Sequence, residues 1–452
     1  MTGETTRLWC EHALLPDGPA ESVTVDVTDG RIAAVTGDTD RPSDARRRRG
    51  ITIPGAANTH SHAFHRALRH RSQMGHGSFW TWRDQMYAVA EQLDPDRYHR
   101  LARAVFAEMV LSGFTTVGEF HYVHHQADGT PYSDPNAIAE ALTEAAIDAG
   151  IRITLLDTVY LHGGLADDGY LALYGRQRPF GDDNVEAWAQ RVDALAATAQ
   201  RRVGAAVHSV RAVDPASLAE VAAWADQRGA PLHAHVSEQT AENDQCLAAH
   251  GCTPIQLLDR GGALGPQFTA VHATHITNRD LTLLRESGSA VCLCPTTERD
   301  LGDGVGPARR LADSGVTLSI GSDSHAIIDP FEEMRAVELD ERLVRGDRGV
   351  FTTAELLATA TAGHRLLGWD DVGEIAVGQR ADLVTIALDS VRTSGSVPGA
   401  IAEAVVFGAA PSDVTHVMID GVNVVKNGQH RHVDVAAELT AAIDVIIREA
   451  DS

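Results

Sequence analysis

His60 and His62 stand two residues apart at the end of the apolar run 51–59, in His60-Ser61-His62. Read as a strand, that run places both imidazoles on one face, spaced to chelate a single divalent cation. Imidazole is the commonest protein ligand for zinc, and two of them on one strand are half of a tetrahedral site. In a chain with 22 histidines the pair alone is a weak signal. Its meaning depends on what completes it.

Residues from three other stretches complete it. His235 and Glu238 close the run Pro231-Leu232-His233-Ala234-His235-Val236-Ser237-Glu238, His272 lies in Val271-His272-Ala273, and Asp323 follows Ile320-Gly321-Ser322. His60, His62 and His235 offer three neutral nitrogens and Asp323 a carboxylate oxygen, leaving a position for water. A metal held there lowers the pKa of its water from about 15.7 towards about 7 and so supplies hydroxide at neutral pH. Asp323 suits the base that takes the proton and Glu238 the acid that protonates the leaving group. His272 is placed to polarise the electrophile or to orient the hydroxide. The expected cofactor is one divalent metal ion; Zn2+ fits best, although iron, manganese or cobalt accept the same donors. The only lysine is Lys426, at a predicted strand end far from these motifs. Lysine chemistry has no other candidate, which favours one metal over a lysine-bridged pair.

The elements that must position these residues follow from the pattern. The run ending at His62 and the runs 115–120, 151–160, 203–210, 231–238, 269–275, 290–295 and 316–323 make eight predicted strands. Alanine-rich amphipathic stretches at 135–149, 184–200, 215–228 and 239–250 lie between them. Eight strands alternating with helices predict an α/β fold, a (β/α)8 TIM-like barrel, with the site on its C-terminal rim. Both chain ends instead carry hairpin patterns, as at Asp29-Gly30. The predicted organisation is a small β-sandwich domain from residues 1–52 and 369–430, a metal-dependent hydrolase barrel over 53–368 and a C-terminal helix over 431–452.

The chain of 452 residues carries a net charge of −24, which argues against nucleic acid and anionic membranes as partners. No apolar stretch reaches the length of a membrane span, and the first residues do not open a signal peptide. The five cysteines are odd in number and include no Cys-x-x-Cys, so a reducing cytoplasm fits best. Arg46 to Arg49, the only basic run, reads as a solvated loop.

With these residues in view, the chain resembles the amidohydrolase superfamily. The matches are His60-x-His62, His235 with Glu238, His272, Asp323, and the return to β structure in Gly373-Glu374-Ile375-Ala376-Val377-Gly378-Gln379-Arg380-Ala381-Asp382-Leu383-Val384. His-x-x-Glu without a barrel lysine resembles its mononuclear deaminase branch. Within that branch, Phe79-Trp80-Thr81-Trp82-Arg83, Glu119-Phe120-His121-Tyr122-Val123-His124-His125, His208-Ser209-Val210-Arg211 and Cys294-Pro295-Thr296-Thr297-Glu298 are similar to the formimidoylglutamate deiminases. That resemblance implies release of ammonia from N-formimino-L-glutamate in L-histidine degradation, substrate contacts from Arg83, Tyr122, His208, Arg211 and His65, and a homodimer. A small anionic, amino-acid-derived substrate accords with guanidinium forks binding its carboxylates. Two positions depart from the family: His65 stands where Gln is frequent, and Asp300 replaces a more usual Asn.

Blander expectations attach to other features. Trp80 and Trp82 are expected to pack in a lid or core, Cys292 and Cys294 to be small buried groups, and Asp329 to cap a helix begun by Pro330. His121, His124 and His125 fit a supporting role better than a second metal site, and His430 and His432 look like exposed tail residues. The alternative activity is deamination of a purine, pyrimidine or related heterocycle. An inactive metal-binding barrel is the other class, disfavoured by the intact set with Glu238 and His272.

Overall fold

The computed structural model describes residues 5–450 other than 75, 167, 168 and 398. Its central sheet has eight parallel strands: β1 Ala56–Ser61, β2 Phe114–His121, β3 Arg152–Val159, β4 Arg201–Val207, β5 Leu232–Val236, β6 Phe268–His272, β7 Ala290–Leu293 and β8 Thr317–Ile320. They pair in sequence order. A parallel bridge between Ser61 and Asp323 closes the ring, and the His60 carbonyl accepts the amides of Ser322 and Asp323 at 3.1 Å each. Gly321 permits this closure, because a Cβ there would lie 2.9 Å from both the Cβ and the carbonyl oxygen of His60. The ring therefore shuts at the site itself.

The surrounding helices start and stop where local chemistry dictates. Pro95–Ser112 begins with the Asp94 side chain accepting the Arg97 amide and with Pro95 in the first turn. Its face of Leu101, Val105, Phe106 and Met109 is buried in the core. The far end of the barrel is plugged by helix Thr353–Leu366 and the residues after it. His364 hydrogen-bonds Thr116 Oγ1 at 3.0 Å and the Gly55 carbonyl at 2.9 Å, and buried Trp369 donates to Thr154 Oγ1 at 2.9 Å.

Both chain ends build a second, eight-stranded sheet. Thr6–Leu15, Gly18–Thr28, Arg31–Thr36 and Arg46–Pro54 come from the first part; Leu383–Ile386, Val414–Ile419, Val422–Lys426 and Gln429–His430 come from the last. It has its own small core around Leu8, Val23, Val25, Ile32, Ile375 and Met418. The halves meet where Thr52 pairs with Thr385. Buried Arg152 in β3 ties the barrel to this sheet through Asp382, with Nη1 to Oδ1 at 3.1 Å.

Several expectations need correction. The run 51–62 is two strands of different sheets, broken at Gly55, where a Cβ would lie 2.3 Å from Thr115 Cγ2. The strand Arg46–Pro54 thus crosses the expected domain boundary at 52, and Arg46 to Arg49 are not a loop: Arg48 turns inward onto Asn423 while Arg47 pairs with Glu11. The helix expected over 184–200 is only Val185–Val192, because tight turns from Ala194 to the Arg191 carbonyl and from Leu195 to the Val192 carbonyl end it. Helix Phe79–Ala90, which the periodicity did not mark, carries Arg83. His430 is half-buried, bonded to the Ala149 carbonyl at 3.0 Å. Asp329 does cap helix Pro330–Arg345, accepting the amides of Phe331 and Glu332. Among the described residues no helix is long and apolar enough to cross a membrane.

Candidate metal centre and active site

β1 delivers His60, and His62 follows one residue beyond it at the start of the 3-10 helix Ala63–Leu68, which carries His65. β5 delivers His235, and Asp323 follows β8. The side chains of these four converge. The Nε2 atoms of His60 and His62 lie 3.1 and 3.3 Å from His235 Nε2, and 3.3 and 3.4 Å from Asp323 Oδ1. A tetrahedron with bonds of about 2.1 Å has edges of about 3.4 Å, so the spacing is that of a zinc-type ligand set.

Tautomers sharpen the fit. His62 Nδ1 is bonded to the Phe120 carbonyl at 2.9 Å and His235 Nδ1 to the His208 carbonyl at 2.8 Å. A carbonyl only accepts, so both Nδ1 atoms carry the hydrogen and both Nε2 atoms present lone pairs. Two lone pairs facing each other at 3.3 Å repel. A cation between them removes the conflict, and burial pushes both imidazoles well below their ordinary pKa, keeping them neutral. Burial alone would raise the Asp323 carboxyl, but the His60 hydrogen bond and the charge of His272 prevail and hold it below the usual range.

Beside this cluster, His272 at the end of β6 points Nε2 towards Asp323 Oδ2 at 3.7 Å and Glu238 Oε1 at 3.8 Å, while Nδ1 meets Glu298 Oε1 at 3.3 Å. Burial opposes its charge, but Glu238, Glu298 and Asp323 outweigh burial and raise its pKa well above the ordinary value. Burial lifts the Glu238 carboxyl to about 7, a poise suited to proton exchange near neutrality. Ser237, His272 and Asp323 all hold left-handed backbone, with φ of 52°, 69° and 37°. Strain of this kind costs about 1 kcal/mol or more per residue and persists where surroundings enforce it.

A cavity of about 50 Å³ joins His62, His235, Glu238 and Asp323 to Arg83 and Arg211. Arg83 lies with its guanidinium carbon 4.4 Å over the Trp80 ring, and the Nε atoms of Arg83 and Arg211 are buried without a partner. Among the described residues neither arginine forms an ion pair, although the buried carboxylates of Glu238 and Glu242 lie near enough to Arg211 to feel its charge. His65 Nε2 bonds Tyr122 OH at 2.9 Å, and burial drops the His65 pKa to about 3, so it is a neutral hydrogen-bonding group. His208 lines the same cavity next to Tyr160, their rings 4.4 Å apart. Trp82 also lines it, edge-on to His65, whereas Trp80 is partly exposed. Cys292 and Cys294 are buried beside Val271. Asp300 accepts from Gln73 Nε2 at 2.7 and 2.8 Å, tying down the segment that leads into helix Phe79–Ala90.

Sequence reasoning missed the supports. Glu119, opposite Ser61 on β2, accepts Ser61 Oγ and the Ala63 amide. Its signal was a lone acid inside an otherwise uncharged strand. Asn58 and Ser322 bond reciprocally at 2.7 and 3.0 Å behind the ligand cluster. His121, His124 and Asp157 also come close. There Arg191 already holds Asp157 at 2.8 and 2.9 Å and His124 Nε2 is committed to the Thr158 carbonyl at 2.9 Å, which makes a hydrogen-bonded network.

A parallel barrel with a buried His/Asp ligand cluster on its C-terminal rim defines the class. The chain belongs to the amidohydrolase family, whose model matches residues 51–424. It is 35% identical over 438 residues to the formimidoylglutamate deiminase of Pseudomonas aeruginosa, covering 94% of this chain and 96% of that one. The 8-oxoguanine deaminase of the same organism is 31% identical over 395 residues, covering 82% and 83%. Among solved structures, an amidohydrolase from Brucella melitensis superposes with a TM-score of 0.90 at 31% identity, over 98% of this chain and 100% of that one.

Proposed function

We propose that the protein is a metal-dependent hydrolase of C–N bonds that converts N-formimino-L-glutamate to N-formyl-L-glutamate and ammonia, a step of L-histidine degradation. One observation carries the substrate reading: Arg83 and Arg211 stand unpaired in the cavity that reaches the His/Asp cluster. In a chain at −24, two half-buried arginines without ion pairs at one cavity point to an anionic ligand. The similarity to the Pseudomonas aeruginosa formimidoylglutamate deiminase supports the same reading.

His60, His62, His235 and Asp323 would hold the metal, whose Lewis acidity makes water nucleophilic near neutral pH. The chain supplies the rest. Asp323 accepts a proton from the attacking water, its Oδ2 facing His272. Glu238 passes that proton to the terminal formimino nitrogen, and His272 donates a hydrogen bond to the developing charge. A C–O bond forms, the bond to the terminal nitrogen breaks, and both water protons leave on ammonia. Arg83 and Arg211 bind the carboxylates, with Tyr122, His65 and His208 filling the space between.

A second reading, deamination of an oxidised purine or similar heterocycle, draws on the aromatic lining by Phe79, Trp82, Tyr122 and Phe180 and on the similarity to 8-oxoguanine deaminase. Among the described residues no Asn or Gln amide lines the cavity to read a heterocycle's edge. Ammonia release decides between them. Purified, zinc-loaded protein is expected to release ammonia from N-formimino-L-glutamate and not from 8-oxoguanine; the opposite preference overturns the assignment.

A further inference from the structure

Gln177 is 1% exposed in the 3-10 helix Gly175–Phe180. That helix is fastened where the Pro179 carbonyl accepts the amides of His124 and His125 at 2.9 and 3.0 Å, just after Tyr122. Backbone partners fix which way the Gln177 amide points. The Gly163 carbonyl, which only accepts, lies 3.0 Å from Nε2; the Tyr174 amide, which only donates, reaches Oε1 at 3.4 Å. Nε2 therefore faces the phenol oxygens of Tyr87 and Tyr160, at 3.2 Å each.

An amide nitrogen has two hydrogens and offers no lone pair. One hydrogen goes to Gly163, and the other is shared by the two phenols, whose oxygens accept. Their own O–H hydrogens must point elsewhere. Even where one phenol donates to the other, one hydrogen of the pair is left over. Both rings line the cavity, Arg83 lies 5.7 Å over the Tyr87 ring, and Tyr160 is separated from His235 by the His208 ring, 5.2 Å from that histidine. The spare donor thus sits beside the arginines, away from the ligand cluster.

We infer that Tyr87 and Tyr160, oriented by Gln177, form with Arg83 and Arg211 the seat for the substrate carboxylate remote from the reacting carbon. Gln177 is a positioning residue: it turns the phenols into donors and so selects a dicarboxylate. This rests on the proposed function.

The test uses the full metal-loaded chain, glutarate as a non-reacting dicarboxylate, butyrate as its monocarboxylate control, and steady-state kinetics with N-formimino-L-glutamate. Gln177→Glu replaces the only donor by an acceptor, and Tyr87→Phe/Tyr160→Phe removes both phenols. Each is expected to weaken glutarate binding and raise KM by roughly tenfold or more, the worth of a hydrogen bond to a charged group. Butyrate binding and kcat should change by less than about threefold. A loss shared equally by butyrate and kcat marks a merely structural role and overturns the inference, as do unchanged glutarate affinity and KM. Should Gln177→Glu fail to fold, the double phenylalanine variant decides alone. A wild-type protein that neither binds glutarate nor turns over the substrate removes the functional reading itself; one that does both while the variants behave normally removes only this inference.

Discussion

Glu119 straddles His62: its carboxylate accepts Ser61 Oγ on one side and the Ala63 amide on the other, each at 2.6 Å. Ser61 also meets His325 Nε2 at 3.1 Å, so the backbone between the two histidines is held from behind by a fully buried network. Glu119→Gln turns an amide donor towards one of these donors and leaves it unsatisfied. Supports of this kind are worth about 10–100-fold in metal affinity. Zinc competition against a chromophoric chelator should show a loss of that size with the fold intact by circular dichroism; unchanged affinity removes the role.

Asp323→Asn should cut ammonia release by at least about 100-fold, since the amide neither takes the proton nor offers the same ligand charge. Chelation of the native protein should abolish release, with recovery on adding zinc. Substantial turnover by the variant contradicts the base assignment.

Arg83→Ala and Arg211→Ala each remove a cation that lines the cavity and forms no ion pair among the described residues. KM for N-formimino-L-glutamate should rise by about 10-fold or more in each, with a smaller effect on kcat. If the substrate is instead a neutral heterocycle, both variants keep the native KM.

Asp214 caps helix Pro215–Arg228, accepting the amides of Ala216 and Ser217 at 3.1 Å. Burial works to raise its pKa, but the hydrogen bonds from Ser217 and His162 prevail and hold it at about 2, below the ordinary 3.8. A depressed carboxyl stabilises the fold above its ordinary value, and that contribution disappears as pH falls through about 2. Asp214→Ala should therefore cost about 1 kcal/mol at pH 7 and much less near pH 2, read by urea unfolding at both. An equal loss at both pH values contradicts the linkage.

Asp382→Asn should destabilise the protein by about 3–5 kcal/mol, because it leaves the Arg152 guanidinium buried without its main counter-charge. Asp420, 3.1 Å from Arg152 Nη1, softens the loss, and removing both acids should unfold the chain at room temperature. Urea midpoints measure both.

The chemistry was legible where a reactive side chain ends a strand. His60, His62, His235, His272 and Asp323 could be placed on one rim because period-2 runs and helical stretches alternate clearly between them. Supports were not legible: Glu119 meets Ser61 only through strand register, and Gln177 meets Tyr87 across 90 residues. The break at Gly55 was hidden because the apolar run passes through it unchanged, and only the packing against Thr115 ends one strand and begins another. Helix Phe79–Ala90 was missed because its apolar and polar residues show no clean 3.6-residue stripe: it buries Phe79 and Met86 in the protein and turns Arg83 to the cavity.

The Arg152–Asp382 tie has a consequence for biogenesis. The ribosome makes Arg152 with the early barrel strands, yet its counter-charge emerges 230 residues later, alongside the strand Leu383–Ile386 that pairs with Arg46–Pro54. Until then the nascent barrel holds a stranded cation at its base and an open sheet edge directly ahead of the segment bearing His60. The segment that begins at Asp382 is thus the keystone for the first strands, and a ribosome stalled before it presents a barrel with an unneutralised base to the cell's chaperones.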